Sequence, residues 1–119
     1  MNADTLISKI KAHPDYAQVG MILCHNGVVR GTSRDGRPVS GLRVAVDIER
    51  LAQVLAEHRG LPGIVDIQVE IAGDRDLTVG DDVMMLVVAG DVRENVIDVL
   101  TRTLNAIKTT VTAKTEFFV

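Results

Sequence analysis

Tryptophan is absent from this chain, and its aromatic residues amount to one tyrosine and two phenylalanines. A stacking platform for nucleic-acid bases needs more rings than that. The core must instead be assembled from Val, Ile and Leu. Cysteine occurs once, as Cys24, which excludes an intrachain disulfide and a cysteine-built zinc site. Cys24 lies in an apolar stretch and reads as a buried, inert thiol. Positive charge is also in deficit: 13 basic against 16 acidic residues leave −3, which argues against non-specific nucleic-acid binding. No apolar run reaches the length of a membrane span. The opening residues Met1-Asn2-Ala3-Asp4 carry no basic region of a secretory signal. The expectation is a cytoplasmic protein with neither membrane nor nucleic-acid partners.

What is present is ordinary globular material. The 119 residues are 46% hydrophobic and 24% charged, which fits one globular domain spanning residues 1–119 and excludes wholesale disorder; the order of elements read below makes its class α+β. A chain of this length buries about two-thirds of its unfolded surface and needs no metal to stay folded. Its expected radius of gyration is roughly 13–14 Å.

The charge is uneven along the chain. Between Arg30 and Arg43 stand four arginines and one acid; between Asp66 and Asp82 stand six acids and one arginine. These are either two solvated loops of opposite sign or, for the first, an anion-binding loop.

Hydrophobic periodicity places the elements. Leu6, Ile7 and Ile10 mark a short helix that Pro14 ends. Val19–Leu23 reads as a buried strand extending toward Val29. Asp35-Gly36 signals a turn inside the basic loop. Leu42, Val44 and Val46 alternate as in a half-buried strand. Asp47 caps a second helix with the stripe Ile48, Leu51, Ala52 and Leu55. Val65, Ile67, Val69 and Ile71 alternate with Asp66, Gln68 and Glu70, which predicts a strand with those polar residues outward. Residues 83–89 are apolar at every position, so that strand is covered on both faces. Asp91 with Glu94 resembles a capping box opening a third helix lined by Val96, Leu100, Leu104 and Ile107. Residues 112–119 form a last strand, with Lys114 and Glu116 on one side. From Val39 the order is β-α-β-β-α-β.

No G-x-S-x-G, P-loop or H-E-x-x-H motif occurs. His13, His25 and His58 are scattered, so no metal site is expected. Arg30 ends a strand at the start of the basic loop, where a guanidinium can anchor an anion or simply face solvent. Arg93 opens the third helix, against the helix dipole, unless a carboxylate pairs with it or an anion sits at the free N–H groups. Lys108 suits the end of that helix, and Lys114 suits an edge strand. Either lysine can serve as an acid or base if burial or neighbouring cations lower its pKa.

Four stretches together resemble the large, catalytic subunit of molybdopterin synthase. The first is Gly20-Met21-Ile22-Leu23-Cys24-His25-Asn26-Gly27-Val28-Val29-Arg30-Gly31-Thr32-Ser33, similar to the family's apolar strand, G-x-V-R and polar glycine loop. The second is Leu77-Thr78-Val79-Gly80-Asp81, like L-x-V-G followed by an acid. The third is Arg93 opening a long helix that ends in Ile107-Lys108. The fourth is Lys114-Thr115-Glu116, like the family's K-x-E. They run in family order from about residue 15 to 117.

The resemblance implies a hammerhead-type α+β fold, a homodimer, and a ubiquitin-like small subunit whose Gly-Gly tail carries a thiocarboxylate. It implies sulfur transfer from that tail to cyclic pyranopterin monophosphate, a step of molybdenum cofactor biosynthesis, with no resident cofactor. Lys108 would be the principal catalytic lysine and Lys114 would sit beside the tail. Arg30 and Arg93 would hold the substrate phosphate or the tail carboxylate. This reading expects Arg30, Arg93 and Lys108 to meet at one pocket.

Two other readings stand beside it. One is a non-catalytic relative that binds a protein tail or small anion on the same dimer scaffold, favoured by Val92, where the family usually has histidine. The other is an unrelated ferredoxin-like regulatory module, suggested by the β-α-β-β-α-β order.

Overall fold

The computed structural model describes residues 1–119. The elements in chain order are α1 (Ala3–Lys11), β1 (Met21–Val28), β2 (Val39–Val46), α2 (Ile48–Arg59), β3 (Ile64–Ile71), β4 (Asp76–Thr78), β5 (Asp82–Gly90), α3 (Arg93–Thr110) and β6 (Thr112–Phe118), with one 3-10 turn at Tyr16–Gln18. The strands form two antiparallel three-stranded sheets, ordered β1-β5-β3 and β4-β2-β6.

The α+β class is as expected, and β4 adds a short strand within the acidic loop. The ferredoxin-like reading is overturned by the pairing. β2 and β6 bond to each other in a sheet apart from β3 and β5, whereas that reading needs one continuous sheet.

β5 is the spine of the first sheet, and its unbroken apolarity is explained by cover on both faces. Met84, Leu86 and Val88 pack with Val54 and Leu55 of α2 and Val96, Val99 and Ile107 of α3. Met85, Val87 and Ala89 pack on the other side against Leu6 and Ile10 of α1. Each such side chain contributes about 1.5–3 kcal/mol on full burial. A third cluster combines Leu42, Val44 and Leu77 of the second sheet with Val29 and Ala72, which directly follow β1 and β3. Val46 and Ile71 touch both this cluster and the main core, and so join the two sheets. With the sheets joined in this way, the molecule is elongated, 48 × 24 × 23 Å, with a radius of gyration of 15.1 Å.

Several local expectations are corrected. Cys24 is exposed: β1 is an edge strand, and the α1 cluster reaches Ile22 on that face but not Cys24. Ile48 is 76% exposed; α2 buries Leu55 as expected, together with Val54. Asp47 does cap α2, accepting from Arg50 N–H at 3.0 Å. Asp91 stands one residue before the α3 cap, which is Val92; its carboxylate accepts from Val92 N–H and from Asn95 Nδ2. Those two bonds hold the Asp91 carboxyl below its ordinary pKa, the Asn95 bond foremost.

Asp66 points inward rather than outward, and is only 7% exposed. The β3–β5 register shifts between Ile64 and Asp66. The carboxylate there accepts from Ile67 N–H at 2.8 Å and Gln68 Nε2 at 2.9 Å, with Arg59 Nε 3.3 Å away. A buried charge needs such partners. No helix is long and apolar enough to cross a membrane.

Candidate functional site

The basic loop after β1 is tightly folded. A Thr32–Pro38 bridge closes its base. Ser33 N–H donates to the Arg37 carbonyl at 2.9 Å, Gly36 N–H to the Ser33 carbonyl at 3.0 Å, and Arg37 N–H to Ser33 Oγ at 3.1 Å. Gly36 takes φ +85°, a backbone conformation that glycine enters without a Cβ clash. The Ser33 hydroxyl donates to the Asp35 carboxylate, the main cause holding that carboxyl below its ordinary pKa. Arg34 is carried on this loop.

Arg34 lines a pocket of about 280 Å³. The first sheet supplies His25, Gly27 and Val28 from β1, Ile71 from β3, and Val83 and Met84 from β5. The second supplies Leu42 and Val44 from β2, with Thr112 and Lys114 from β6. Lys108 enters from the last turn of α3. The pocket is therefore the seam between the two sheets.

Its electrostatics are one-sided. Arg34, Lys108 and Lys114 are the charged lining residues, no carboxylate lines the pocket, and none of the three forms a salt bridge. Three uncompensated cations over an apolar floor favour an anion. His25 is held below its ordinary pKa, first by burial and then by the charge of Lys108. Its Nε2 is buried and has no hydrogen-bond partner. No cluster of three or more His, Cys, Asp or Glu side chains is placed to hold a metal.

The structure thus brings two of the four expected site residues together, Lys108 and Lys114. Arg30 is not in the lining; its Nε donates to the Thr32 carbonyl at 2.8 Å. Arg93 is also outside the lining. Its side chain is 78% exposed and pairs with Glu94 at 3.1 Å, which removes the dipole penalty that its position raises. A single chain does not gather Arg30, Arg93 and Lys108 at one place. Sequence reasoning missed His25 and Arg34. The signal for His25 was available: it alternates in phase with Leu23, which packs against the main core.

Fold and site define an α+β protein of two antiparallel sheets with a cationic pocket at their seam. The family model of the MoaE protein matches residues 1–110, and the chain belongs to that family. The resemblance to the molybdopterin synthase large subunit is thereby upheld, and the family is one of molybdenum cofactor biosynthesis.

Solved structures share the fold. A molybdopterin cofactor biosynthesis protein E from Burkholderia multivorans aligns at TM-score 0.76 and 19% identity, over 100% of this chain and 81% of that one. Molybdopterin synthase from Staphylococcus aureus aligns at 0.73 and 19%, over 86% and 77%. A complex of subunits 1 and 2 of the molybdopterin-converting factor from Helicobacter pylori aligns at 0.70 and 14%, over 99% and 84%. Among curated proteins no match is found.

Proposed function

We propose that this chain is the catalytic subunit of a cytoplasmic molybdopterin synthase, moving sulfur from a small-subunit thiocarboxylate to cyclic pyranopterin monophosphate. One observation carries the reading: Lys108, Lys114 and Arg34 meet without carboxylate partners at a pocket between the sheets. The proposed sulfur donor and acceptor are both anions. Bringing them together in water costs repulsion that fixed cations offset, and more strongly where water is displaced. Lys108 is the principal catalytic lysine, and Lys114 sits beside the incoming tail. Arg34 is added as an anion anchor, since a guanidinium matches phosphate or carboxylate in a planar fork.

Arg30 and Arg93 keep their proposed role as anion-holding residues. Arg30 begins the loop that carries Arg34. Arg93 is exposed and acts from a second copy in a homodimer. The two-subunit complex among the structural relatives supports a small-subunit partner.

The test is reconstitution. The protein is mixed with a thiocarboxylated small subunit and cyclic pyranopterin monophosphate, and dithiolene product is quantified. Product is expected from the wild type. Lys108→Ala should lower it by about 10²-fold or more while the protein stays folded, because the side chain is exposed. A folded wild-type protein that binds the small subunit and yields no product would instead identify the non-catalytic relative, a reading that Val92 and the outlying Arg30 favour.

A further inference from the structure

We propose that His25 is the proton acceptor of the pocket: its imidazole takes a hydrogen bond, and then a proton, from an O–H or N–H group of the bound anion. The identity of that anion rests on the synthase reading above. The assignment of the residue rests on four observations about the pocket wall.

First, Nε2 of His25 is buried without a hydrogen-bond partner. Buried polar atoms are nearly always paired, and an orphan calls for a missing partner. Second, His25 shares the pocket wall with Lys108, Lys114 and Arg34. Ammonium and guanidinium groups are donors with no acceptor site, whereas neutral imidazole carries a lone pair. The charged groups that share the pocket with His25 are Lys108 from α3, Lys114 from β6 and Arg34 from the loop, and of these Lys108 is the one whose charge acts on the ring. β5 contributes only Val83 and Met84, and no carboxylate competes for the role. Third, Thr112, the remaining polar side chain of the wall, donates its hydroxyl to the Ile107 carbonyl; its oxygen can still accept a hydrogen bond, but an alcohol holds no extra proton near neutral pH. Fourth, Gly27 puts no side chain against the ring: a Cβ there would stand 3.4 Å from His25 Nε2.

Burial and the Lys108 charge both favour the neutral ring, the form that accepts. In the step itself the ligand's O–H or N–H bond breaks and its electron pair stays on the ligand. An N–H bond forms on the ring. The resulting imidazolium is disfavoured by burial and by the Lys108 charge, so it returns the proton to product or to water, and no redox change occurs.

The test has two arms, both on the full chain. In the first, side-chain nitrogen NMR of the wild type is followed while cyclic pyranopterin monophosphate is added. A saturable shift of the His25 nitrogens, reduced in Gly27→Ala, is expected. Unmoved His25 signals at saturating ligand overturn the proposal, whether or not the protein makes dithiolene. In the second arm, the pH–rate profile of reconstituted synthase is compared with that of His25→Gln. The wild type should show an acid limb below about pH 6.5. The variant should lose that limb and fall about 10²-fold in kcat, with KM within about threefold. An unchanged limb with kcat within threefold sinks the proposal and leaves the synthase reading standing. A wild type without product but with a ligand-shifted His25 does the reverse.

Discussion

Lys108 and Lys114 face one pocket from different elements, the first from the last turn of α3 and the second from β6, where it pairs with Val44 of β2. Only Val111 separates helix from strand; it is buried, and its carbonyl accepts from Asp47 N–H at 2.9 Å. The short connection fixes the spacing of the two backbone positions from which the lysines project.

Arg93 lies outside the pocket of its own chain, so its proposed role needs a second copy. Arg93→Ala and Lys108→Ala should each lower sulfur transfer by about 10²-fold or more alone. Mixed as unfolded chains and refolded together, they should recover roughly a quarter of wild-type activity. Random pairing makes half of the dimers mixed, and one site in each is then intact. No recovery in a mixture shown to contain mixed dimers would exclude a composite site.

His25 should also leave a mark on stability. Its pKa is lowered in the folded chain from the ordinary 6.5, so between the folded value and 6.5 the unfolded chain binds more protons. Stability from this residue is fully present above 6.5 and is lost as pH falls through the folded value. Urea midpoints at about pH 7.5 and about pH 5 should differ more in the wild type than in His25→Gln. His13 and His58 are common to both proteins and cancel. Equal differences would show that the ring titrates normally.

Asp66 gives a purely structural expectation. Asp66→Ala removes the acceptor of Ile67 N–H and Gln68 Nε2 and the partner of Arg59. The expected loss is about 2 kcal/mol in urea unfolding. Arg59 still donates to the Ile67 carbonyl, which limits the damage. A loss under about 0.5 kcal/mol would mean that the inward carboxylate is solvated after all.

The elements were legible where one physical signal dominated. β5 was readable because an apolar run needs cover on both faces, and α1 helps supply it. α2 was readable from Asp47. Sheet membership was not readable, because β2–β6 pairing is a long-range choice that no local pattern encodes. Asp66 misled for a related reason: a register shift and the reach of Arg59 decide its direction, and neither is periodic. Of the site, Lys108 and Lys114 came through resemblance rather than spacing. Arg34 was hidden among four similar arginines. His25 was passed over because its meaning depends on Lys108, which is remote in sequence and adjacent only in the fold.

The seam position of the pocket has one more consequence. Its wall is drawn from both sheets and from residues 25 to 114, so no fragment of the chain can carry it. A bound anion would add a rivet to a junction already held by Val46, Ile71 and the cluster of Val29 and Ala72 with Leu42, Val44 and Leu77. Occupancy and integrity of the molecule are then one variable. A ligand bound there would stabilise the whole folded chain by mass action, not one sheet alone.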